Sequence, residues 1–223
     1  MTTILSLDTS FKNISVALLK NSIITDIVLK NQSSNSEEIL PLIKKILEIK
    51  KTKLQEIDAI AFTNGPGRFS GIRMSNNIAQ GLSLVHKIPL IHVSTLIVIS
   101  EFVRKFYFIK EKICVCMKAD TKSVYWGLFH YNKKQKWEVC EKEKNITNLD
   151  LYQKLKNIDK KIVLIGDIWS KKFILDKDIF IHNKIIYIES PNARDIIPFA
   201  LSNFIKKNTL HPENSFPNYI NSF

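Results

Sequence analysis

TNGPGRFSGIR, residues 63–73, holds three of the six glycines of this 223-residue chain. Residues 57–62 before it have the apolar pattern of a buried strand, and Ser70 is predicted to N-cap a helix that ends near Val85. The glycines therefore lie at the start of a helix. We call the following residues the glycine loop: Gly65, Pro66, Gly67, Arg68, Gly71 and Arg73.

The glycine loop allows two interpretations. Glycine permits a positive φ or a close backbone approach, and the free amides of a helix N-terminus favour an anion or the carboxylate of a partner. The alternative is a strand-to-helix turn that needs glycine only for its shape. Neither Gly-Lys-Ser nor Gly-Lys-Thr follows, and the Gly-x-Gly-x-x-Gly spacing is absent. The sequence therefore argues against a P-loop nucleotidase.

The chain around the loop, residues 1–107, is predicted to form one unit. Its pattern is a meander of three strands followed by alternating helices and strands. The predicted strands are 4–8, 14–20, 23–30, 57–62 and 90–93, and the predicted helices are 36–50, 70–85 and 94–105. Glu37 and Glu38 are expected in the first turn of the first helix, and Pro41 is expected to bend it.

The second half, residues 108–223, repeats this order less clearly. The predicted strands are 113–118, 123–131, 137–140 and 162–166, and a helix is predicted at 149–156. A further helix, interrupted at Pro198, is expected over 192–207, before an extended tail. We therefore predict an α/β protein of two closely packed lobes, 1–107 and 108–223, with the last helix and the tail free to pack back on the first lobe.

Cysteine usage and hydropathy indicate the compartment. Cys114, Cys116 and Cys140 form neither a Cys-x-x-Cys motif nor a Cys/His array, so we expect no disulfide and no metal site. The N-terminus has no export pattern, and the most apolar window, 88–103, is too short and too polar to span a bilayer. The sequence predicts a cytoplasmic protein that does not bind a membrane.

The formal net charge of +12 raises the question of nucleic-acid binding. Of the 33 basic residues 29 are lysine, and the lysine pairs are scattered without interleaved aromatic residues, as expected for a solvated surface in a compositionally biased sequence. Arg68 and Arg73 stand out, because guanidinium geometry matters where contacts are bidentate.

The two repeats resemble the plan of the actin, sugar-kinase and Hsp70 superfamily, the ASKHA fold. That resemblance implies that Asp8, Thr9 and Ser10, at the end of the first strand, face a nucleotide phosphate and its metal. The alternative is that Asp8 only caps the hairpin turn through its side chain, as in an Asx turn.

Several motifs, read in order, resemble the TsaB (YeaZ) family, a bacterial factor for threonylcarbamoyladenosine in tRNA. They are LDTS at 7–10, NSEEILP at 35–41, IDAIA at 57–61, GPGRFSGIR at 65–73, AQGL at 79–82, VYWG at 124–127 and PNYI at 217–220. The resemblance covers nearly the whole chain and is strongest over about the first hundred residues.

The family resemblance implies a non-catalytic role. The paralogous TsaD transfers the threonylcarbamoyl group to the adenosine next to the anticodon, helped by the ATPase TsaE, and TsaB-like chains support TsaD. This chain is then expected to need no cofactor, while the wider pathway uses ATP and Mg²⁺, and to reach TsaE and tRNA only through the complex. Whether it forms a homodimer when alone stays open.

Two further features belong to that resemblance. TsaD-like proteins hold their metal with a His-x-x-x-His pair, whose places here are taken by Thr95 and Ile99, and His92 is expected to be structural. Partner binding is implied for two helices that pack against the equivalent pair of TsaD. The candidate residues are Ser36, Ile39, Leu40, Ile43, Ile72, Met74, Ile78 and Leu82.

The chain also departs from the family pattern, and other functions stay open. The departures are Asn35, Ser75, Asn76, Lys118, Asp120 and Asn221. One alternative is a peptidase-like hydrolase, for which no supported base, metal or nucleophile is found. The other is an actin-fold ATPase or kinase that acts alone and uses Asp8 for magnesium.

Overall fold

The computed structural model describes residues 2–30, 37–158, 162–169, 183–188, 190–218 and 220. The chain divides into two compact units, Met1–Val98 with Ser190–Asn218, and Ile99–Glu189 with Tyr219–Phe223. This division lies within a helix, whereas the sequence prediction placed the boundary after residue 107. Residues 190–218, which include the last helix, belong to the first unit.

The first unit is built on a five-stranded sheet of order β3-β2-β1-β4-β5. Strands β1 and β2, and β2 and β3, are antiparallel, whereas β4 is parallel to both β1 and β5. The strands are β1 (Ile4–Asp8), β2 (Ile14–Lys20), β3 (Ile23–Leu29), β4 (Ala59–Thr63) and β5 (Leu90–Val93). The helices are α1 (Ile39–Ile49) and α2 (Phe69–His86), and the last α-helix of the chain, Ile197–Ile205, belongs here too. Helix α3 (Thr95–Tyr107) begins in this unit and continues into the second.

Side-chain alternation along β1 explains how both faces of this sheet are covered. Leu5 and Leu7 point to one face, where they pack with the buried side of α1, while Ile4 lies on the other face with Ile197 and Ala200 of the last helix. Because helices cover both faces, the central strands β1 and β4 are buried along their whole length.

The second unit repeats the plan. Its sheet has the order β10-β9-β6-β7-β8. Read from the other edge this is β8-β7-β6-β9-β10, which is the order of the first sheet with β6 to β10 in the places of β1 to β5. The elements are β6 (Lys112–Lys118), β7 (Ser123–Tyr131), β8 (Trp137–Thr147), α4 (Asn148–Asn157), β9 (Ile162–Gly166) and β10 (Lys184–Tyr187). The last helix, Ile197–Ile205, is α5 in our numbering. The duplicated order confirms the predicted two-lobed, actin-like α/β fold.

Several local predictions were wrong. Helix α2 begins at Phe69, so Ser70 lies in its first turn and Arg68 is the N-cap residue. Helix α1 begins at Ile39, so Glu37 and Glu38 precede its first turn. Pro41 then lies in that first turn, where a helix does not need the amide that proline lacks, and its ring gives no reason for a bend.

Two predicted elements also have different extents. Strand β8 continues to Thr147 instead of ending at residue 140, and as an edge strand it carries polar, largely exposed side chains. The helix predicted over 192–207 consists of a 3-10 turn, Ala193–Asp195, followed by α5, and Pro198 fits within the first turn of α5.

The segment after α5 covers the edge of the first sheet. The amide of Leu90 in β5 donates to the carbonyl of Leu210 (3.0 Å), and the amide of Leu210 donates to the carbonyl of Leu90 (2.8 Å). A short 3-10 helix, Pro212–Asn214, follows within the tail that was predicted to be extended. Among the described residues, none of the helices combines the length and apolar character needed to cross a membrane.

Candidate functional site

The glycine loop packs its backbone against the turn between β1 and β2. The amide of Arg68 donates to the carbonyl of Ser10 (2.8 Å), and Thr9 Oγ1 donates to the carbonyl of Gly71 (2.6 Å). A Cβ atom on Gly67 would lie 2.7 Å from the carbonyl oxygen of Ser10, and one on Gly71 would overlap the carbonyl oxygen of Thr9. Both glycines are therefore required by close approach of two backbones.

Gly65 has a different requirement. Its φ is +119°, a conformation that L side chains rarely adopt, and it precedes Pro66 through a cis peptide bond. A Cβ atom there would lie 2.6 Å from the carbonyl oxygen of Asn218. The carbonyl of Gly65 accepts a hydrogen bond from the amide of Thr95 (2.9 Å). Of the two interpretations of the loop, these contacts favour a turn whose shape requires glycine.

The two arginines of the loop are exposed at the start of α2. The guanidinium of Arg73 lies over the ring of Phe69, 3.7 Å from its centroid, which is a cation–π contact one helical turn apart. The Phe69 side chain is itself 58% exposed. An aromatic ring and a guanidinium thus stack on the outside of the helix.

Asp8 is fully buried, and its side chain is used by the turn. Its Oδ1 atom accepts hydrogen bonds from the amide of Ser10 (3.1 Å), from Ser10 Oγ (2.6 Å) and from Thr63 Oγ1 (2.6 Å). The bond from the Ser10 amide is the Asx-turn geometry. Within the described part of the chain, Oδ2 is buried without a partner.

Burial dominates the electrostatics of this carboxylate. It raises the pKa of Asp8 above its usual value, although the hydrogen bonds from Ser10 and Thr63 act in the opposite direction. Thr9 and Ser10 are buried as well. As they lie, these three residues are shaped for the turn and do not fit a magnesium-bound phosphate, which needs an accessible carboxylate.

His92 in β5 is part of a directed chain of hydrogen bonds. Asn64 Nδ2 donates to His92 Nδ1 (3.1 Å), His92 Nε2 lies 2.7 Å from Ser215 Oγ, and Ser215 Oγ donates to Asn76 Oδ1 (2.7 Å). An amide nitrogen can only donate and an amide oxygen can only accept, so His92 is neutral with its proton on Nε2, donating to Ser215. Burial lowers the pKa of His92 to about 4, in agreement with a neutral ring.

This geometry bears on the hydrolase alternative. A histidine and a serine lie within hydrogen-bond distance, which is the contact that nucleophile activation needs. The proton nevertheless runs from His92 to Ser215, and Ser215 is completely buried. As arranged, the imidazole donates to Ser215 and does not accept its proton, which does not favour the hydrolase alternative.

The sequence did not predict the pairing of His92 with the tail. Gln80 of α2 strengthens it, because Gln80 Nε2 donates to the carbonyls of Pro212 and Ser215, each at 2.8 Å. The only signal was indirect: polar residues, Asn76 and Gln80, lie one turn apart in a helix that otherwise covers a core.

Three of the departures from the family pattern have side chains that bond to the structure around them. The hydroxyl of Ser75 is buried and lies 3.3 Å from the carbonyl of Ile72, and Asn76 accepts from Ser215. The carboxylate of Asp120 accepts from the amide and the hydroxyl of Ser123 (2.9 and 2.7 Å) and so holds the turn between β6 and β7. Lys118 bonds to Asp167 only through its backbone amide (2.8 Å), so this contact does not explain the lysine side chain. Asn35 and Asn221, like the predicted partner-binding Ser36, lie outside the described residues.

The predicted partner-binding residues separate into two groups. Ile39, Ile43 and Ile72 are at most 3% exposed and belong to the core of their own unit, because α1 and α2 must cover their sheet. The others keep exposed surface: Leu40, Met74, Ile78 and Leu82. Leu40 is 53% exposed, whereas Met74, Ile78 and Leu82 are half-buried and pack against the core with one side.

The exposed group extends into a longer surface on α2. Met74, Ile78, Gly81 and Val85 recur at spacings of three and four residues and so form one stripe along the helix, which we call the α2 stripe. Val85 is 76% exposed, and among the described residues no heavy atom lies within 4 Å of a Cβ atom added to Gly81. The stripe is apolar, with a small residue at its centre.

A groove runs beside this stripe. Its volume is about 550 Å³, and its apolar lining comes from Leu40 and Leu47 of α1, Leu54, and Leu82 of α2. Lysine and glutamate side chains form its rim, among them Lys44 and Glu48, which lie 4.0 Å apart on the surface of α1. The groove therefore has an apolar floor and a charged rim.

Candidate metal ligands are not gathered in the described residues. No three His, Cys, Asp or Glu side chains come together there in a way that could hold a metal ion. At the start of α3, Thr95 and Ile99 are both completely buried. Cys114 and Cys116 lie side by side on β6 with their sulfur atoms 3.4 Å apart, and burial raises the pKa of Cys114.

The fold and the site together define a class: a two-lobed α/β protein of the actin-like fold, with a buried polar turn after β1 and an apolar helix face on its surface. Residues 23–162 match the family model described as TsaD, tRNA N6-adenosine threonylcarbamoyltransferase. A Pseudomonas aeruginosa protein with similarity to peptidase YEAZ superposes with a TM-score of 0.86 at 22% identity, covering 99% of this chain and 100% of that one.

Curated relatives narrow the class. The tRNA threonylcarbamoyladenosine biosynthesis protein TsaB of Buchnera aphidicola subsp. Schizaphis graminum is 37% identical over 99% of this chain and 98% of its own. The TsaB protein of Buchnera aphidicola subsp. Acyrthosiphon pisum is 36% identical over 92% of this chain and 91% of its own. The chain belongs to the TsaB (YeaZ) family.

Proposed function

We propose that the chain is a non-catalytic accessory partner of a TsaD-like transferase in the formation of threonylcarbamoyladenosine in tRNA. Membership of the TsaB family supports the pathway, because the curated relatives are named for it. The observation that carries the accessory role is the α2 stripe, an apolar helix face with a small residue at its centre.

Gly81 is the residue of the α2 stripe that points to a partner helix. A glycine inside a helix costs roughly 0.5–1 kcal/mol relative to alanine. The described residues offer no steric reason for it, since a Cβ atom at Gly81 would meet open space. A second helix that crosses α2 closely at this point supplies the reason, because small residues let two helix axes approach.

The groove next to the stripe supports the same arrangement. Leu40 and Leu82 line it from α1 and α2, so side chains of an incoming helix can fill it while its backbone lies along the α2 stripe. Apolar surface at such a groove is removed from water only when a partner is bound. We expect that partner to be the transferase, whose equivalent helices have the same fold.

The non-catalytic part of the proposal rests on the sites where chemistry would be expected. Asp8 is buried in its turn, and His92 donates its proton to Ser215. Transfer to tRNA, and the use of ATP and Mg²⁺, then belong to the other proteins of the pathway, including a TsaE-like ATPase bound through the complex. An ATPase or kinase acting alone would need Asp8 to reach solvent.

The test is to reconstitute the reaction. Threonylcarbamoyladenosine formation on tRNA is measured with TsaC-, TsaD- and TsaE-type proteins of the source organism, with and without this chain, and ATP turnover is measured for the chain alone. We expect formation to depend on the chain. Equal formation without it, or ATP turnover by the chain alone that Asp8→Ala abolishes, would overturn the proposal.

Docking is tested with a matched pair of variants. Val85 on the α2 stripe is 76% exposed, and Ile205 on α5 is 71% exposed, so a charge at either place leaves the core intact. Val85→Glu should weaken binding to the transferase by at least tenfold, measured by calorimetry, while Ile205→Glu should bind like the unchanged chain. Equal binding by both variants would remove the α2 stripe from the interface.

A further inference from the structure

Three consecutive aromatic residues are exposed where α3 ends in the second unit. Phe106 is 62% exposed, Tyr107 46% and Phe108 88%. Phe106 touches Phe102 at a centroid distance of 4.7 Å but remains largely open to solvent. Large aromatic side chains usually contribute to a core or an interface, so three exposed rings in succession need an explanation. We call Phe106, Tyr107 and Phe108 the aromatic patch.

The backbone at Phe108 adds a second unusual feature. Its φ is +50°, and its amide donates to the carbonyl of Arg104 (3.1 Å), so it closes the C-terminus of α3 in the left-handed conformation. Glycine is the usual residue at this position because it has no Cβ atom to strain the backbone. Phenylalanine strains the backbone here and exposes nearly its whole ring, and no contact among the described residues explains either feature.

The charge around the aromatic patch is positive. Residues 104–112 include Arg104, Lys105, Lys110 and Lys112 but one acidic residue, Glu111. The ammonium group of Lys184 on β10 lies 5.1 Å from the ring centroid of Tyr107. Lys184 therefore lies at one ring of the patch, and the exposed Lys110 and Lys112 follow the patch directly in the chain.

Two of these cations, Arg104 and Lys105, already pair with an acidic side chain of the protein. The guanidinium of Arg104 forms two hydrogen bonds of 2.9 Å with Glu101, and Lys105 lies 3.6 Å from the same carboxylate. Burial acts to raise the pKa of Glu101, but the hydrogen bonds from Arg104 and Trp137 more than offset it, so the pKa lies below its usual value. Glu101 therefore stays ionised and fixes the end of α3, which positions the patch.

We propose that the aromatic patch and the lysines beside it bind single-stranded RNA, with bases stacked on the rings and phosphates placed against Lys110, Lys112 and Lys184. Unpaired bases offer π-faces to aromatic side chains, and lysines neutralise the phosphates between them. The inference rests on the proposed function, which brings the chain to the anticodon loop of a tRNA, and goes beyond it by giving this chain a direct contact with the RNA.

The probe is a fluorescein-labelled anticodon stem-loop RNA, compared with a fully paired RNA duplex of the same nucleotides. Binding to the full chain is measured by fluorescence anisotropy at several salt concentrations. We expect the stem-loop to bind more tightly than the duplex, because stacking requires unpaired bases while the charges act on both.

Phe108→Gly is the sharpest variant. Glycine suits the left-handed backbone there, so the variant should fold at least as well as the unchanged chain, while stem-loop affinity should fall by about tenfold or more. Phe216→Ala is the matched control, because Phe216 is a 69% exposed ring in the tail of the first unit. Lys184→Ala should lower the salt slope by about one, in contrast to Lys133→Ala on the β7–β8 turn.

Each outcome decides the inference. Equal losses for Phe108→Gly and Phe216→Ala, equal affinity for stem-loop and duplex, or no binding by the unchanged chain would each overturn it. Normal RNA binding by Phe108→Gly with weakened binding to the transferase would instead assign the patch to protein binding and overturn it. Failure of the proposed function is seen separately, because it appears as modification that does not depend on the chain.

Discussion

Gly71 and Gly81 lie in the same helix, α2, and have opposite surroundings. A Cβ atom on Gly71 would overlap the carbonyl oxygen of Thr9, whereas one on Gly81 would meet no described atom within 4 Å. The first glycine is required by the chain's own backbone. The second is not required by any described residue. Glycine at position 81 therefore either serves a contact outside the described chain or serves no contact.

The comparison extends to the two ends of the helix. At its start, the glycine loop is closed, because Arg68 and Gly71 bond to the turn at Thr9 and Ser10. Further along, the α2 stripe is open and ends at the exposed Val85. One end of the helix is thus fixed by folding, and the other is available for binding.

Gly71→Ala should have the largest effect on stability. The added methyl group overlaps a backbone oxygen, so either the β1–β2 turn or the start of α2 must move. Overpacking of this kind, at a buried site without a flexible side chain, should lower the free energy of unfolding by about 3 kcal/mol or more. Urea denaturation followed by circular dichroism measures it, with Gly81→Ala as the control in the same helix.

A urea denaturation curve of Gly71→Ala that matched the curve of the unchanged chain would contradict the close approach of α2 and the β1–β2 turn. It would also end the contrast between the closed and open ends of the helix.

Gly65→Ala and Gly67→Ala sharpen the comparison within the loop. Both added methyl groups would meet a backbone oxygen, at 2.6 and 2.7 Å, but only Gly65 of the two has a positive φ. Gly65→Ala should therefore cost about 2–3 kcal/mol, and Gly67→Ala roughly one kcal/mol less. Thermal melts of the two variants test this order, and a larger loss for Gly67→Ala would show that backbone conformation is not the deciding factor.

The fold could be predicted because its signals are local. Strand alternation and helix periodicity predicted nine of the ten described strands at the right places along the chain, whereas β10 was not predicted. Ser70 is a good N-cap by type, but the N-cap is Arg68, whose amide donates to the carbonyl of Ser10 in the turn between β1 and β2. A contact between distant segments decided what local preference could not.

The candidate site was less predictable for the same reason. Leu40, Met74, Ile78 and Leu82 keep exposed surface, but periodicity alone could not separate them from the buried Ile39, Ile43 and Ile72. The pairing of His92 with Ser215 depends on where the tail lies, and the sequence of the tail predicted only an extended segment. Exposure and long-range pairing come from packing, which a single sequence does not contain.

His92→Gln should change the pH dependence of stability. The pKa of His92 is lowered to about 4 by burial, from an ordinary value near 6.5, so the unfolded chain binds more protons at this residue between those values. Stability from this residue is therefore present above about pH 6.5 and is lost as the pH falls towards about 4. Because the ring is partly exposed, we expect a loss of about 1–2 kcal/mol.

The measurement compares unfolding free energies of the unchanged chain and His92→Gln at several pH values. Asp8 acts in the opposite sense, because a raised carboxyl pKa makes stability fall as the pH rises, but it is common to both proteins and cancels in the difference. Parallel pH curves for the two proteins would contradict the assignment of a buried, neutral His92.

Gly81→Ala should have the smallest effect on folding and the most informative sign. Alanine favours the helix and finds open space, so the free energy of unfolding should rise by about 0.5–1 kcal/mol. If a partner helix crosses α2 at this point, the same methyl group should weaken binding to the transferase by about tenfold, and Gly81→Leu should weaken it further. Lys45→Ala, at an exposed position of α1, is the control for a surface change to alanine. A gain in stability with unchanged binding would place the partner elsewhere, whereas opposite signs in the two measurements would show that Gly81 serves an interface and not the fold.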